Sequence, residues 1–173
     1  MTTLPRGRLD DKSKAMKQLY ILLALLVFAG APANWAAGAG AQSGPATFDV
    51  GAVTIETAAG EAHDFLVEIA ETPEQRAQGL MFRRQLEADV GMLFLFGGSE
   101  VRGMWMKNTL IPLDMLFIDE EGKIVRIEER TVPHSERAII SGEPVAAVLE
   151  VNAGTASRLM IKPGDRVRHP AFK

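Results

Sequence analysis

The residues best equipped for chemistry stand in one short block, Trp105-Met106-Lys107-Asn108-Thr109, with Asp114 five positions beyond Thr109. An indole ring beside an ammonium and a carboxamide suits a carbohydrate or a small anionic ligand. The ring stacks, the cation attracts negative charge, and the amide both donates and accepts hydrogen bonds. The same residues also suit a purely structural corner, in which Asn108 and Thr109 bond nearby backbone, Trp105 is core and Lys107 pairs with Asp114. Arg83, after the apolar end of a helix at Gly79-Leu80-Met81, is a further ligand-binding candidate whose expected buried partner is Glu150. Arg84, and Arg76 within the helix, are further cations for the same place, although Arg76 better suits a surface pairing with Glu74 or Glu71.

Glu150 lies between Leu149 and Val151, and Asp114 between Leu113 and Met115. A carboxylate with such neighbours either faces solvent or must be paired. Asp114 and Glu150 are therefore the one carboxylate couple nominated for acid/base work, as in a hydrolase or lyase acting on cell-envelope material. Carboxylates held by arginine and lysine in a structural network are the alternative.

Other chemistries find no support. The chain has no cysteine and three histidines, His63, His134 and His169, with no short mutual spacing, so neither a disulfide scaffold nor a zinc site is expected. His134-Ser135-Glu136 is contiguous, so its side chains diverge, and no G-x-S-x-G accompanies it. No glycine-rich phosphate loop or dinucleotide fingerprint is present, and no cofactor is expected. Of the eight methionines, six beyond the N-terminal region sit in apolar runs and read as core rather than as copper ligands.

The elements that must position these residues follow from periodicity. Thr47 to Ala58 and His63 to Ala70 alternate as the arms of a hairpin, with Phe65, Val67 and Ile69 on one face. Thr72-Pro73-Glu74-Gln75 is a capping-box start for a short helix reaching about Met81. Gly91 to Phe96 reads as a strand buried on both faces. Val101 to Lys107 reads as a separate strand with Gly103, Trp105 and Lys107 on one side and Arg102, Met104 and Met106 on the other. Pro112 to Asp119, Lys123 to Thr131 and Val145 to Val151 are further strands, Ala153 to Met160 a second short helix, and Ile161 to Val167 a turn into the last strand. Thr131 to Pro144 lacks periodicity and reads as the longest loop. The sum is a mainly β (α+β) single domain, mostly an antiparallel curled sheet or barrel of about 7–8 short strands with two short helices.

Charge divides the chain. Residues 1–41 carry five basic and two acidic side chains, whereas residues 42–173 carry 14 basic and 20 acidic, a net −6. An acidic domain without a basic run argues against a nucleic-acid partner. The basic lead, the apolar core from Leu19 to Ala31 and the small-residue run ending Ala39-Gly40-Ala41 form an export signal, with cleavage expected before Gln42 or, failing that, after Ala39. The compact segment starting at Met16 makes translation from that residue an alternative to Met1. A membrane contact is expected only through this segment if it stays uncleaved. Residues 42–46 read as a flexible leader and residues 47–173 as the domain, exported and soluble in the periplasm or outside the cell. Oligomeric state does not follow from the sequence.

These blocks stand in a recognisable order: Arg76-x-x-Gly79-Leu80-Met81-x-Arg83, Gly91-Met92-Leu93-Phe94-x-Phe96, Trp105-Met106-Lys107-Asn108-Thr109, Pro112-Leu113-Asp114, Val148-Leu149-Glu150-Val151-Asn152-Ala153-Gly154 and Gly164-Asp165. The chain resembles the domain of unknown function number 192 family, also called uncharacterised protein family 0127, over about residues 47–170. That resemblance implies a small and often exported domain and brings no established activity. Three readings stay open at this stage: a binding or accessory module for a small anionic or carbohydrate ligand in the cell envelope, an envelope hydrolase or lyase, and a structural or protein-interaction domain.

Overall fold

The computed structural model describes residues 46–173. The export segment and all but the last residue of the leader lie outside the described residues. Among the described residues nine elements follow one another: β1 (Asp49–Glu56), β2 (Ala62–Ala70), α1 (Pro73–Gln78), β3 (Val90–Met104), β4 (Leu113–Ile118), β5 (Ile124–Glu128), β6 (Ile139–Asn152), α2 (Thr155–Arg158) and β7 (Arg166–Arg168). The seven strands form one sheet in the order β5-β4-β6-β3-β2-β1-β7, antiparallel throughout except for the parallel pair β2 and β3. The parallel step requires a crossover, and α1 is carried in that link.

The two ends of the sheet meet. Lys123 bridges Arg166, Ile124 N–H donates to the Asp165 carbonyl at 2.9 Å, and Val167 N–H donates to the Gly122 carbonyl at 2.7 Å. The sheet is thereby curled into a nearly closed barrel, joined where the start of β5 meets the segment leading into β7. Strand alternation then sorts the apolar residues. Val53, Ile55, Phe65, Val67, Leu93, Leu116, Leu149 and Val167 point inward and fill the barrel. Met92, Phe94, Met115, Phe117 and Val148 point out from β3, β4 and β6 and are covered by Leu80 and Met106 from the connecting segments.

Closure depends on one glycine. Gly122 has φ +81°, and a Cβ there would sit 2.4 Å from the Val167 carbonyl oxygen. Gly122→Ala is expected to lose about 2–4 kcal/mol in chemical denaturation, from left-handed strain plus a backbone clash. Gly60→Ala, at φ +84° with nothing within 4 Å, is expected to lose only about 1 kcal/mol. Equal losses at the two sites would mean that the contact at the barrel seam contributes nothing.

Several boundaries differ from those read in the sequence. The two apolar stretches Gly91 to Phe96 and Val101 to Lys107 belong to one 15-residue strand, interrupted by register shifts between Leu95 and Glu100 and between Val101 and Gly103. Gly97, at φ +70°, takes the left-handed conformation that such an irregularity needs. The strand stops at Met104, so the expected alternation of Trp105 and Lys107 against Met106 does not occur on a strand. Residues 139–144, read as loop, are the first part of β6. Pro144 is tolerated because β4 pairs only with residues 147–152, which leaves that side of β6 unpaired at the proline. The helices are shorter than read: α1 ends at Gln78 with Gly79 as its cap, and α2 spans four residues.

Candidate functional site

The long strands β3 and β6 extend past the barrel as a two-stranded ribbon, and a cleft of about 390 Å³ lies between that ribbon, α1 and the turn after β3. Phe94 and Glu150 contribute to its lining from the outer face of the barrel, Arg76 from α1, Phe96 and Met104 from β3, and Trp105, Lys107 and Thr109 from the turn.

Each wall has a local cause. The α1 start is the capping box read in the sequence: Gln75 N–H donates to Thr72 Oγ1 at 3.2 Å and the Thr72 N–H to Gln75 Oε1 at 2.9 Å. At the other end a Cβ on Gly79 would approach Phe94 Cζ at 3.0 Å, so glycine lets the helix end lie close against the sheet. Arg76 Nη1 donates to the carbonyls of Glu71 and Leu95, the latter at 3.0 Å, and its guanidinium lies 5.8 Å from the centre of the Phe96 ring. This corrects the expected ion pair of Arg76 with Glu74 or Glu71 carboxylates. The turn is set by Met106, whose side chain is buried and whose N–H donates to Ser135 O at 2.8 Å. Trp105, next to it, is left 47% exposed, with Lys107 Nζ 5.1 Å from the ring centre.

Glu150 is the unusual member. It is 4% exposed, and its cross-strand neighbours are Met92 and Met115. Burial alone pushes its carboxyl up to about 8, with no hydrogen bond or cation among the described residues holding the charged form. At neutral pH this is a neutral carboxylic acid, able to donate as well as accept a hydrogen bond.

The structure thus brings Trp105, Lys107, Thr109 and Glu150 into one cleft and separates the other residues expected with them. Arg83 pairs with Glu68, not with Glu150. Glu68 stands across from Met92, and Met92 across from Glu150, so the cation is held two strands away on the same face. Asn108 has φ 55° and turns its amide to Met81 Sδ at 3.7 Å, while its carbonyl accepts from Phe82 N–H at 2.9 Å. It holds the corner rather than lining the cleft. Asp114 is fully buried on the inward face, paired in register with Val151, whereas Glu150 faces outward. The two carboxylates lie on opposite faces of the sheet and do not form the expected acid/base couple. Nor does Lys107 pair with Asp114. Asp114 Oδ1 accepts from Arg130 N–H at 2.8 Å and Gly154 N–H at 3.0 Å, and Oδ2 from Ala156 N–H at 2.9 Å.

Sequence reasoning missed Phe94 and Phe96 as cleft residues, and it weighed Arg76 as a cation near the site but preferred a surface ion pair for it. The signal for the aromatics was present: Met92, Phe94 and Phe96 share a parity, and a run read as buried on both faces hid it. For Arg76 the signal was Gly79 one turn later, marking a helix end that must approach the sheet closely.

Among the described residues no helix is long and apolar enough to cross a membrane. No curated protein matches the chain. Two solved structures are similar. A candidate transcription regulator from Sinorhizobium meliloti 1021 is 53% identical, with a TM-score of 0.72, over 75% of this chain and 100% of that one. A protein of unknown function from Novosphingobium aromaticivorans DSM 12444 is 38% identical, with a TM-score of 0.68, over 74% of this chain and 94% of that one. The Sinorhizobium chain is thus matched over its whole length by three quarters of this one. The DUF192 family, described as an uncharacterized ACR, matches residues 54–169, from β1 through β7 and including every wall of the cleft. With the barrel and the Trp-Met-Lys-Asn-Thr turn both in place, the chain belongs to the DUF192 family.

Proposed function

We propose that this chain is a binding or accessory module whose outer cleft takes a small anionic or carbohydrate ligand. One observation carries the reading: Glu150 is only 4% exposed, its carboxyl is pushed up by burial alone, and it lines an opening that also presents Trp105 and Lys107. A carboxyl whose charged form is disfavoured by burial at the wall of an open cleft is the kind of group that concentrates where ligands bind. An aromatic face and a cation beside it supply the remaining contacts of a small-ligand site.

The Sinorhizobium relative's description concerns transcription regulation by that protein. Two features argue against carrying it over. The domain has a net charge of −6, and its described helices span six and four residues, too short to lay a recognition helix into a groove. The basic lead, apolar core and Ala-x-Ala site support export, which would place the module in the cell envelope. N-terminal sequencing of the protein recovered from the periplasm or medium is expected to begin at Gln42, and a cytoplasmic protein with an intact N-terminus would refute the export.

Trp105 is the sole tryptophan of residues 42–173, so indole emission from that polypeptide reads the cleft directly. Titration with small sugars and small carboxylates is expected to shift the emission of the domain. Lys107→Ala is expected to weaken binding by roughly tenfold while leaving the melting temperature nearly unchanged, since this partly exposed ammonium makes no ion pair among the described residues. A large loss of melting temperature with unaltered binding would assign the turn a structural role only.

A further inference from the structure

Resting on the reading of the cleft as a binding site, we propose that its ligand is an acidic sugar, a hydroxylated ring bearing a carboxylate. The carboxylate is held between Arg76 and Lys107, the ring lies on Trp105, and a hydroxyl meets the carboxyl group of Glu150.

The argument begins with how the two cations are held. Arg76 is fixed by the carbonyls of Glu71 and Leu95 and by the Phe96 ring, and Lys107 by the Trp105 ring. None of these partners carries a negative charge. Both side chains are therefore positioned without being neutralised, in contrast to Arg83, Arg126 and Arg168, which are each tied to a glutamate. The one acidic residue in the lining is Glu150, and it is protonated at neutral pH. The lining thus carries two positive charges within a domain of net −6. A cleft with low-dielectric walls concentrates such a field on an anion.

A neutral sugar would leave both cations without a counter-charge. A simple anion would leave the exposed face of Trp105 and the Glu150 carboxyl without partners. A ligand with both features satisfies all four side chains, and about 390 Å³ lies at the small end of ligand pockets, suited to one ring rather than a chain. The geometry also sets a pH dependence. Facing Glu150 are Met92 from β3 and Met115 from β4, while the charged groups sharing its cleft are Arg76 from α1 and Lys107 from the turn. Ionisation of Glu150 adds a negative charge to the lining of the cleft that holds the carboxylate, so binding weakens as the pH rises past about 8.

The test is a set of fluorescence titrations of residues 42–173 at pH 7. Glucuronate, galacturonate and N-acetylneuraminate are compared with glucose, galactose and N-acetylglucosamine, and with acetate. At least one acidic sugar is expected to bind roughly tenfold or more tightly than its neutral counterpart and than acetate. That preference is expected to vanish in Lys107→Ala. Wild-type affinity for the acidic sugar is expected to fall between pH 7 and pH 9, whereas Glu150→Gln holds it level. Equal binding of acidic and neutral sugars would overturn the acidic ligand and leave the cleft as a sugar site. Binding of acetate as tight as that of the acidic sugars would overturn the sugar and leave an anion site. No response of the indole emission to any of the seven would overturn both this inference and the binding reading beneath it.

Discussion

Asp114→Ala is expected to lose on the order of 3–5 kcal/mol, the largest loss of any polar substitution in the domain. The carboxylate is fully buried and accepts three backbone N–H groups, from Arg130, Gly154 and Ala156. Removing it leaves three donors without their acceptor, Ala156 N–H fully buried and those of Arg130 and Gly154 part-buried, at about 1–3 kcal/mol each with some relief by relaxation and water. Two of the three belong to residues with left-handed backbone, Arg130 at φ 52° and Gly154 at φ 83°. Asp114 thus holds Arg130 in a conformation that a non-glycine residue does not favour on its own, and ties it to the turn at Gly154. Asp114→Asn keeps an oxygen for Arg130 and Gly154 but turns an amide toward the Ala156 N–H, so its loss is expected to be about half as large. Urea denaturation gives the total, and amide exchange at Gly154 and Ala156 localises it. A loss below about 1 kcal/mol for the alanine variant would show that solvent or neighbours replace the carboxylate.

Glu150 gives the second large effect, with the opposite sign. Its carboxyl is pushed from the ordinary value of 4.5 up to about 8 by burial. Between those two values the folded state holds a proton that the unfolded state has released, so stability falls as pH rises through the window and levels off above about 8. The slope from this one group is at most about 1.4 kcal/mol per pH unit. Glutamine has the same shape and no charge. Glu150→Gln is therefore expected to be more stable than the wild type at pH 9 by a few kcal/mol and close to it near pH 4.5. Subtracting the two pH–stability curves removes every other titrating group, and parallel curves would mean that Glu150 ionises in the fold without penalty.

These two residues also show what was legible in the sequence. Their apolar neighbours left two outcomes for each, exposure to solvent or burial with a partner, and the structure buries both. Their roles depended on register. Asp114 and Glu150 lie on adjacent strands, but the pairing sets Asp114 opposite Val151 and Met115 opposite Glu150, so the carboxylates point to opposite faces. A shift of one residue would have placed them side by side, and nothing local to either segment fixes that shift. The Thr72 capping box was legible because its partners are three residues apart, and the hairpin of β1 and β2 because its arms are joined by a short turn. The single long β3 was not, because its two halves are related through irregularities that only pairing with β6 defines. The same irregularities decide where Trp105 leaves the sheet, so the cleft residues were readable by type while the opening they share was not.

The pairing of the first strand with the last has a consequence for the order of events in the life of the chain. β1 takes β7 as its second neighbour through Thr54 to Arg168, Ile55 to Val167 and Glu56 to Arg166, contacts that span 112 residues for the ion pair of Glu56 with Arg168. No partial chain that stops short of β7 can complete the sheet, whatever hairpins it forms on the way. Assembly therefore waits for the whole domain to be synthesised, and contacts of such long range slow the final step relative to local folding. Until β7 arrives, β1 keeps one edge without a partner and the seam at Lys123 stays open.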